Sequence, residues 1–118
     1  MSNRAKGSRY ERELVNELRD DDWFAMRIAA SGSGTDAELP DILCAKDGDI
    51  YVLELKYVGN GSRASMSREK LRGLKWLASQ MRATPLFVAR FKGDTDYHCF
   101  QPSQCKQNAK SITVGEDD

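Results

Sequence analysis

Asp41, Glu54, Lys56 and Glu11 have the residue types and spacing to gather charge at one point in this 118-residue chain. Asp41 follows Pro40 and opens an apolar run, Ile42-Leu43-Cys44-Ala45; Glu54 and Lys56 close a second, Ile50-Tyr51-Val52-Leu53. Between them lies Asp47-Gly48, a dipeptide suited to a two-residue type I′ turn. That turn pairs Lys46 with Asp49, Ala45 with Ile50 and Leu43 with Val52, and sets Asp41 opposite Glu54. Opposed residues of an antiparallel pair hold their Cβ atoms about 4.5–5.5 Å apart. Lys56, two positions beyond Glu54, points to the same face because strand side chains alternate. Two carboxylates side by side on an apolar face repel each other. Lys56 would relieve part of this, and a divalent cation bound through oxygen ligands would relieve more. The competing reading is a salt-bridged sheet end, with Asp41 a strand-start residue; a slip of one residue would put the two acids on opposite faces.

The elements that must position these groups follow from periodicity. Helical spacing of Leu14, Val15 and Leu18 predicts a first helix from about Ser8 to Asp20, with Glu11 on the same stripe. Two explanations for Glu11 stay open there. Ser8-Arg9-Tyr10-Glu11 matches a capping box, and the stripe could also pack on the Leu43/Val52 face and aim Glu11 at Asp41 and Glu54. Asp20-Asp21-Asp22 ends that helix, and Trp23 to Ala29 reads as a strand with Phe24, Met26 and Ile28 on one face. The connection from Ala30 to Pro40 contains Ser31-Gly32-Ser33-Gly34. Such residues let a backbone approach phosphate and offer amide donors, or form a plain linker. Val58 to Ser67 reads as a second loop at the mouth of the site. A second helix from about Ser67 to Met81 carries Leu71, Leu74, Leu77, Ala78 and Met81 inward. Its Arg68, Arg72, Lys75 and Arg82 form a stripe that could track a phosphate backbone or face solvent. Leu86 to Phe91 reads as a buried strand and Tyr97 to Phe100 as a short last one. Both faces of the hairpin are apolar, so helix 1 is expected on the carboxylate face and helix 2 on the reverse. The fold class expected is α/β, a central mixed five-stranded sheet flanked by helices.

Length predicts one domain over 1–118, with a loose basic arm at 1–6 and a loosely ordered tail at 103–118. No apolar run approaches the ~20 residues of a membrane span, and the N-terminus lacks a signal-peptide core, so a cytoplasmic protein without membrane partners is expected. Cys44, Cys99 and Cys105 make neither an even disulfide framework nor a metal-ligand spacing. Cys44 reads as strand filler, Cys105 as exposed, and His98, the sole histidine, as structural. The formal net charge is zero. Its distribution is uneven: residues 1–60 hold 8 basic and 12 acidic groups, residues 61–118 hold 10 and 6. A basic half beside an acidic pocket suits an enzyme that holds a polyanion, or a protein with uneven solvated faces.

Glu11 on helix 1, Pro40-Asp41 and Glu54-Leu55-Lys56 together resemble the PD-(D/E)xK nuclease pattern. With Gly7-Ser8-Arg9-Tyr10-Glu11-Arg12-Glu13-Leu14-Val15 and Ala30-Ser31-Gly32-Ser33 in the same order, the chain is similar to the archaeal Holliday junction resolvases over residues 5–92. The resemblance implies a restriction-endonuclease-like fold and Mg²⁺, replaceable by Mn²⁺, bound by Asp41, Glu54 and the Leu55 carbonyl. It implies that Glu11 completes the acidic cluster, that Lys56 orients the attacking water and that Ser31 contacts the scissile backbone. Arg12 matches a family arginine, structural or DNA-facing. Arg4, Lys6, Arg9, Arg12, Ser31, Gly32, Ser33, Arg63 and Arg68 are the DNA-binding candidates. The family acts as a homodimer on four-way DNA, without an organic cofactor. The segment after Phe100 is shorter and more polar than the family pattern. The function expected is a metal-dependent endonuclease resolving Holliday junctions. The alternatives are a repair or restriction-like nuclease on other DNA, and a non-catalytic DNA-binding module of the same fold.

Overall fold

In the computed structural model, residues 3–29 and 38–115 are described, with side chains from Gly7 onward. The elements in order are α1 (Asn3–Asp20), β1 (Phe24–Arg27), β2 (Ile42–Lys46), β3 (Asp49–Val58), β4 (Arg63–Ser67), α2 (Arg68–Met81), β5 (Thr84–Phe91), β6 (His98–Phe100), a 3-10 turn (Pro102–Gln104), β7 (Lys106–Gln107) and β8 (Ser111–Gly115). Asp47 and Gly48 both take positive φ, 53° and 88°, as a type I′ turn requires. The hairpin register is the one the turn dictates: Lys46↔Asp49, Ala45↔Ile50, Leu43↔Val52 and Ile42↔Leu53. The main sheet runs β1-β2-β3-β5-β6. Only the β3–β5 pair is parallel, so the sheet is mixed and five-stranded, as expected.

The helices sit on the opposite faces from those expected. Leu14 and Val15 of α1 pack with Ile42, Cys44, Leu53, Leu55 and Val88, the face away from the Glu54 side chain. Leu71, Leu74 and Ala78 of α2 pack with Val52 and Phe87, the carboxylate face. Both hairpin faces are apolar, so the pattern alone did not decide between them; the β3-to-β5 crossover fixes α2 on the Val52 side. Helix α1 also begins at Asn3, five residues before the expected Ser8, so the backbone of the expected basic arm is helical from that residue on. Ser8 is therefore an interior helix position, and the capping-box reading of Glu11 falls.

The segment Val58 to Ser67 ends in a strand, β4, and the expected loose tail contains another, β8. The two pair antiparallel, Arg63↔Gly115 through Ser67↔Ser111, in a second sheet ordered β4-β8-β7. Its alternating pattern buries Ala64, Met66, Ile112 and Val114 in the α2 core. Cys105 is buried there too and Cys99 is the exposed cysteine, which reverses the expectation for Cys105. Helix α2 starts at the N-cap Ser67, whose hydroxyl accepts from the Lys70 backbone N–H at 3.2 Å. Packing of α2 on the connection before Pro40 is close enough that a Cβ on Gly73 would overlap the Glu38 carbonyl.

A clamp of stacked rings holds α1 against the parallel strands. The Arg90 guanidinium lies between the Tyr10 and Tyr97 rings, 4.8 and 4.9 Å from their centroids, and Tyr10 stacks on Tyr57 at 4.8 Å. The Tyr97 hydroxyl donates to the Tyr10 carbonyl at 2.9 Å, and Arg90 Nη2 lies 3.7 Å from Glu13 Oε1. On the α2 side of β1 and β2, by contrast, Phe24 and Met26 stay 57% and 40% exposed.

Candidate active site

Pro40 has no N–H, so the regular β2–β3 ladder cannot continue past Ile42, and Asp41 takes over its end. The Asp41 N–H donates to the Leu53 carbonyl at 2.9 Å, and Asp41 Oδ2 accepts from the Leu55 N–H at 2.8 Å. The side chain thus completes the ladder while its carboxylate sits within hydrogen-bonding reach of Glu54. Glu54 is only 7% exposed. Burial holds its carboxyl well above the usual range, and the adjoining Asp41 charge raises it further. The two acids converge as the turn at Asp47-Gly48 requires.

Glu11 reaches the same corner from α1. Its carboxyl is also raised, first by burial and then by Asp41, while Arg27 and Arg12 draw it down. Its Oε1 accepts from Arg27 Nε at 3.3 Å. Arg27 Nη2 and Arg12 Nη1 both donate to Ser8 Oγ, at 2.8 and 3.2 Å. Arg12 thus belongs to the network around Glu11. Arg27, the last residue of β1, is a site residue that sequence reasoning missed. Its only signal was its position just before the Ser-Gly connection. With Glu11 tied to Arg27, no three Asp, Glu, His or Cys side chains among the described residues stand close enough to hold a metal ion.

Lys56 is exposed and opens onto a cavity of about 220 Å³ beside Glu54, shared with Leu55, Ser65, Ser67 and Lys70. Lys70 is the second residue not foreseen; on a helix pattern it reads as one more solvated cation. The Asp41–Glu54 pair fits a hard divalent cation: both donors are carboxylate oxygens, Glu54 is desolvated, and no ion pair among the described residues neutralises either acid.

The remaining candidates scatter. Ser31, Gly32 and Ser33 lie outside the described residues, as do the side chains of Arg4 and Lys6. Arg9 lies over the Tyr10 ring at 5.4 Å. Arg63 lies at the exposed start of β4. Arg68 donates through Nε and Nη2 to the Asn108 carbonyl at 3.2 and 2.7 Å, a contact that ties α2 to the β7–β8 turn. His98 pairs with Asp94 at 2.7 Å, away from the acids. No described helix is long and apolar enough to cross a membrane.

A family model described as archaeal Holliday junction resolvase (Hjc) matches residues 2–117. The crossover junction endodeoxyribonuclease Hjc of Sulfolobus acidocaldarius is 39% identical over 97 residues, 82% of this chain and 68% of that protein. Its counterpart from Sulfurisphaera tokodaii is 35% identical over 79 residues, 67% of this chain and 55% of that protein. The solved structure of Hjc from Archaeoglobus fulgidus, a Holliday junction resolvase, superposes with a TM-score of 0.82 at 21% identity. It covers 93% of this chain and 88% of that one.

Proposed function

The chain belongs to the archaeal Holliday junction resolvase family, and from that premise we propose that Asp41, Glu54, Glu11 and Lys56 form the centre of a Mg²⁺-dependent endonuclease that cuts four-way DNA. The observation that carries the site assignment is the meeting of Asp41 with a buried Glu54 at the end of the β2–β3 ladder. Asp41, Glu54 and the Leu55 carbonyl would hold the ion, and Mn²⁺ would substitute. When bound, such an ion neutralises phosphate charge and makes water a better nucleophile at neutral pH.

The chain's own residues do the rest. Asp41 is fixed by the Leu55 N–H, so one of its oxygens stays directed at Glu54 without reorganisation. The exposed Lys56 ammonium stands beside the cavity and orients the attacking water. Arg27 and Arg12 hold Glu11 and Ser8 in place. By the family resemblance, Ser31 would contact the backbone being cut, and Gly32, Ser33, Arg4, Lys6, Arg9 and Arg63 would add DNA contacts. Branched DNA of two-fold symmetry calls for two such sites, so the working form is a homodimer; the place of work is the cell interior, where the DNA is.

Asp41→Asn is expected to lower the single-turnover cutting rate of a labelled four-way junction by about 10³-fold or more, with binding in a gel-shift assay retained. Unchanged cutting by that variant would remove Asp41 from the centre. Equal cutting of junction, flap and linear duplex would favour the repair or restriction-like reading. No nicking of any substrate, with melting unmoved by Mg²⁺, would favour the non-catalytic DNA-binding module.

A further inference from the structure

Lys70 lies in the first turn of α2 and lines the same cavity as Lys56 and Glu54. Its ammonium belongs to none of the ion pairs within 4.0 Å among the described residues. The cavity these residues share measures about 220 Å³, and water-sized groups take about 30 Å³ each, so a phosphate group fits with solvent. Ser65 and Ser67 face the same space from β4. Ser67 Oγ accepts from the Lys70 N–H, which leaves its own O–H able to donate.

We propose that Lys70 is a further catalytic residue, whose ammonium, with the Ser65 and Ser67 hydroxyls, takes a non-bridging oxygen of the phosphodiester seated against Glu54. The assignment rests on the nuclease reading above and adds to it a division of labour between two lysines. Lys56, on β3, serves the incoming water. Lys70, on α2, serves the phosphoryl oxygens, where a fixed cation is most effective because charge shifts there during the reaction. The device needs β4 and β8, since those strands place the start of α2.

Two measurements on the full chain decide it. In the first, lysine acetylation is read by mass spectrometry with and without a four-way junction, in EDTA, so that no cutting is needed. Lys70 is expected to become several-fold less reactive in the complex, while Lys46, at the far end of the hairpin beside Asp21 and Trp23, is unchanged. In the second, Lys70→Ala and Lys70→Gln are expected to cut about 10²-fold more slowly in single turnover, with junction Kd within about threefold of wild type. Lys70→Arg recovers most of the rate, which a packing role would not allow. Lys70 as reactive bound as free, or Lys70→Ala cutting within about threefold of wild type, overturns the proposal. A wild-type chain that cuts no DNA would overturn the nuclease reading instead, and the acetylation pattern would still report whether phosphate reaches Lys70.

Discussion

The Glu54 carboxyl ionises at higher pH in the folded protein than in the unfolded chain, because burial and Asp41 both oppose its charge. Between those two values the folded state holds a proton that the unfolded state has lost, so stability falls as pH rises. The contribution is complete below the ordinary glutamate value of 4.5 and declines through neutral pH into the alkaline range. In EDTA, the melting temperature of the wild type should therefore drop by roughly 5 °C or more between pH 5 and pH 8, relative to Glu54→Gln. Parallel curves for the two proteins would contradict this account. Mg²⁺ should raise the wild-type midpoint at pH 8 and leave Glu54→Gln nearly unmoved, by linkage of binding to folding. At this scale the sequence was informative wherever the backbone itself fixed the partner. Asp41 and Glu54 were legible because a two-residue turn admits one register. Arg27 and Lys70 were not, because they arrive from elements whose distance to the acids depends on tertiary packing.

Helix α2 covers the carboxylate face of the sheet and strand β8 packs into the same core, and neither tolerates much change in volume. Gly73 packs directly on the Glu38 backbone, three residues before Asp41. Gly73→Ala should cost about 1–3 kcal/mol by overpacking. It should also slow cutting, because Asp41 must shift with its chain. Urea denaturation and single-turnover cutting on the same preparation check both parts; unchanged values for both would show that the segment yields freely. Ile112 is fully buried in the α2 core, so Ile112→Ala should cost about 2–5 kcal/mol. A frayed tail would lose almost nothing in the same measurement. Strand β8 escaped sequence reasoning because Ser111-Ile112-Thr113-Val114 is short and half polar. Its burial depends on β4, which lies within a stretch rich in glycine and serine. The exchange of helix faces has a similar origin: two apolar faces carry no local label saying which helix covers which.

Among the described residues, no element packs over the β1 end of the main sheet on its α2 face. Helix α2 shields β3 and β5, while Phe24 and Met26 on β1 remain open to solvent on that face, and Trp76 of α2 is 43% exposed. Scattered exposed apolar residues are ordinary, but two on one bare sheet face suit contact with a second copy. In the homodimer proposed above, Met26→Lys combined with Phe24→Glu should shift the dimer to monomer in sedimentation equilibrium and uncouple the two incisions of a junction. A double variant that stays dimeric would place the interface elsewhere. The ring clamp has a consequence for how the centre is armed. Tyr10 is pinned between Arg90 and Tyr57, and its carbonyl is held by Tyr97, one residue from Glu11. The backbone that carries Glu11 is therefore held from both faces of the Tyr10 ring and at the Tyr10 carbonyl. In the centre proposed above, an approach of Glu11 to Asp41 would be a rotamer swing away from Arg27, so loading would need no hinge and would proceed at the speed of a side chain with the outline unaltered.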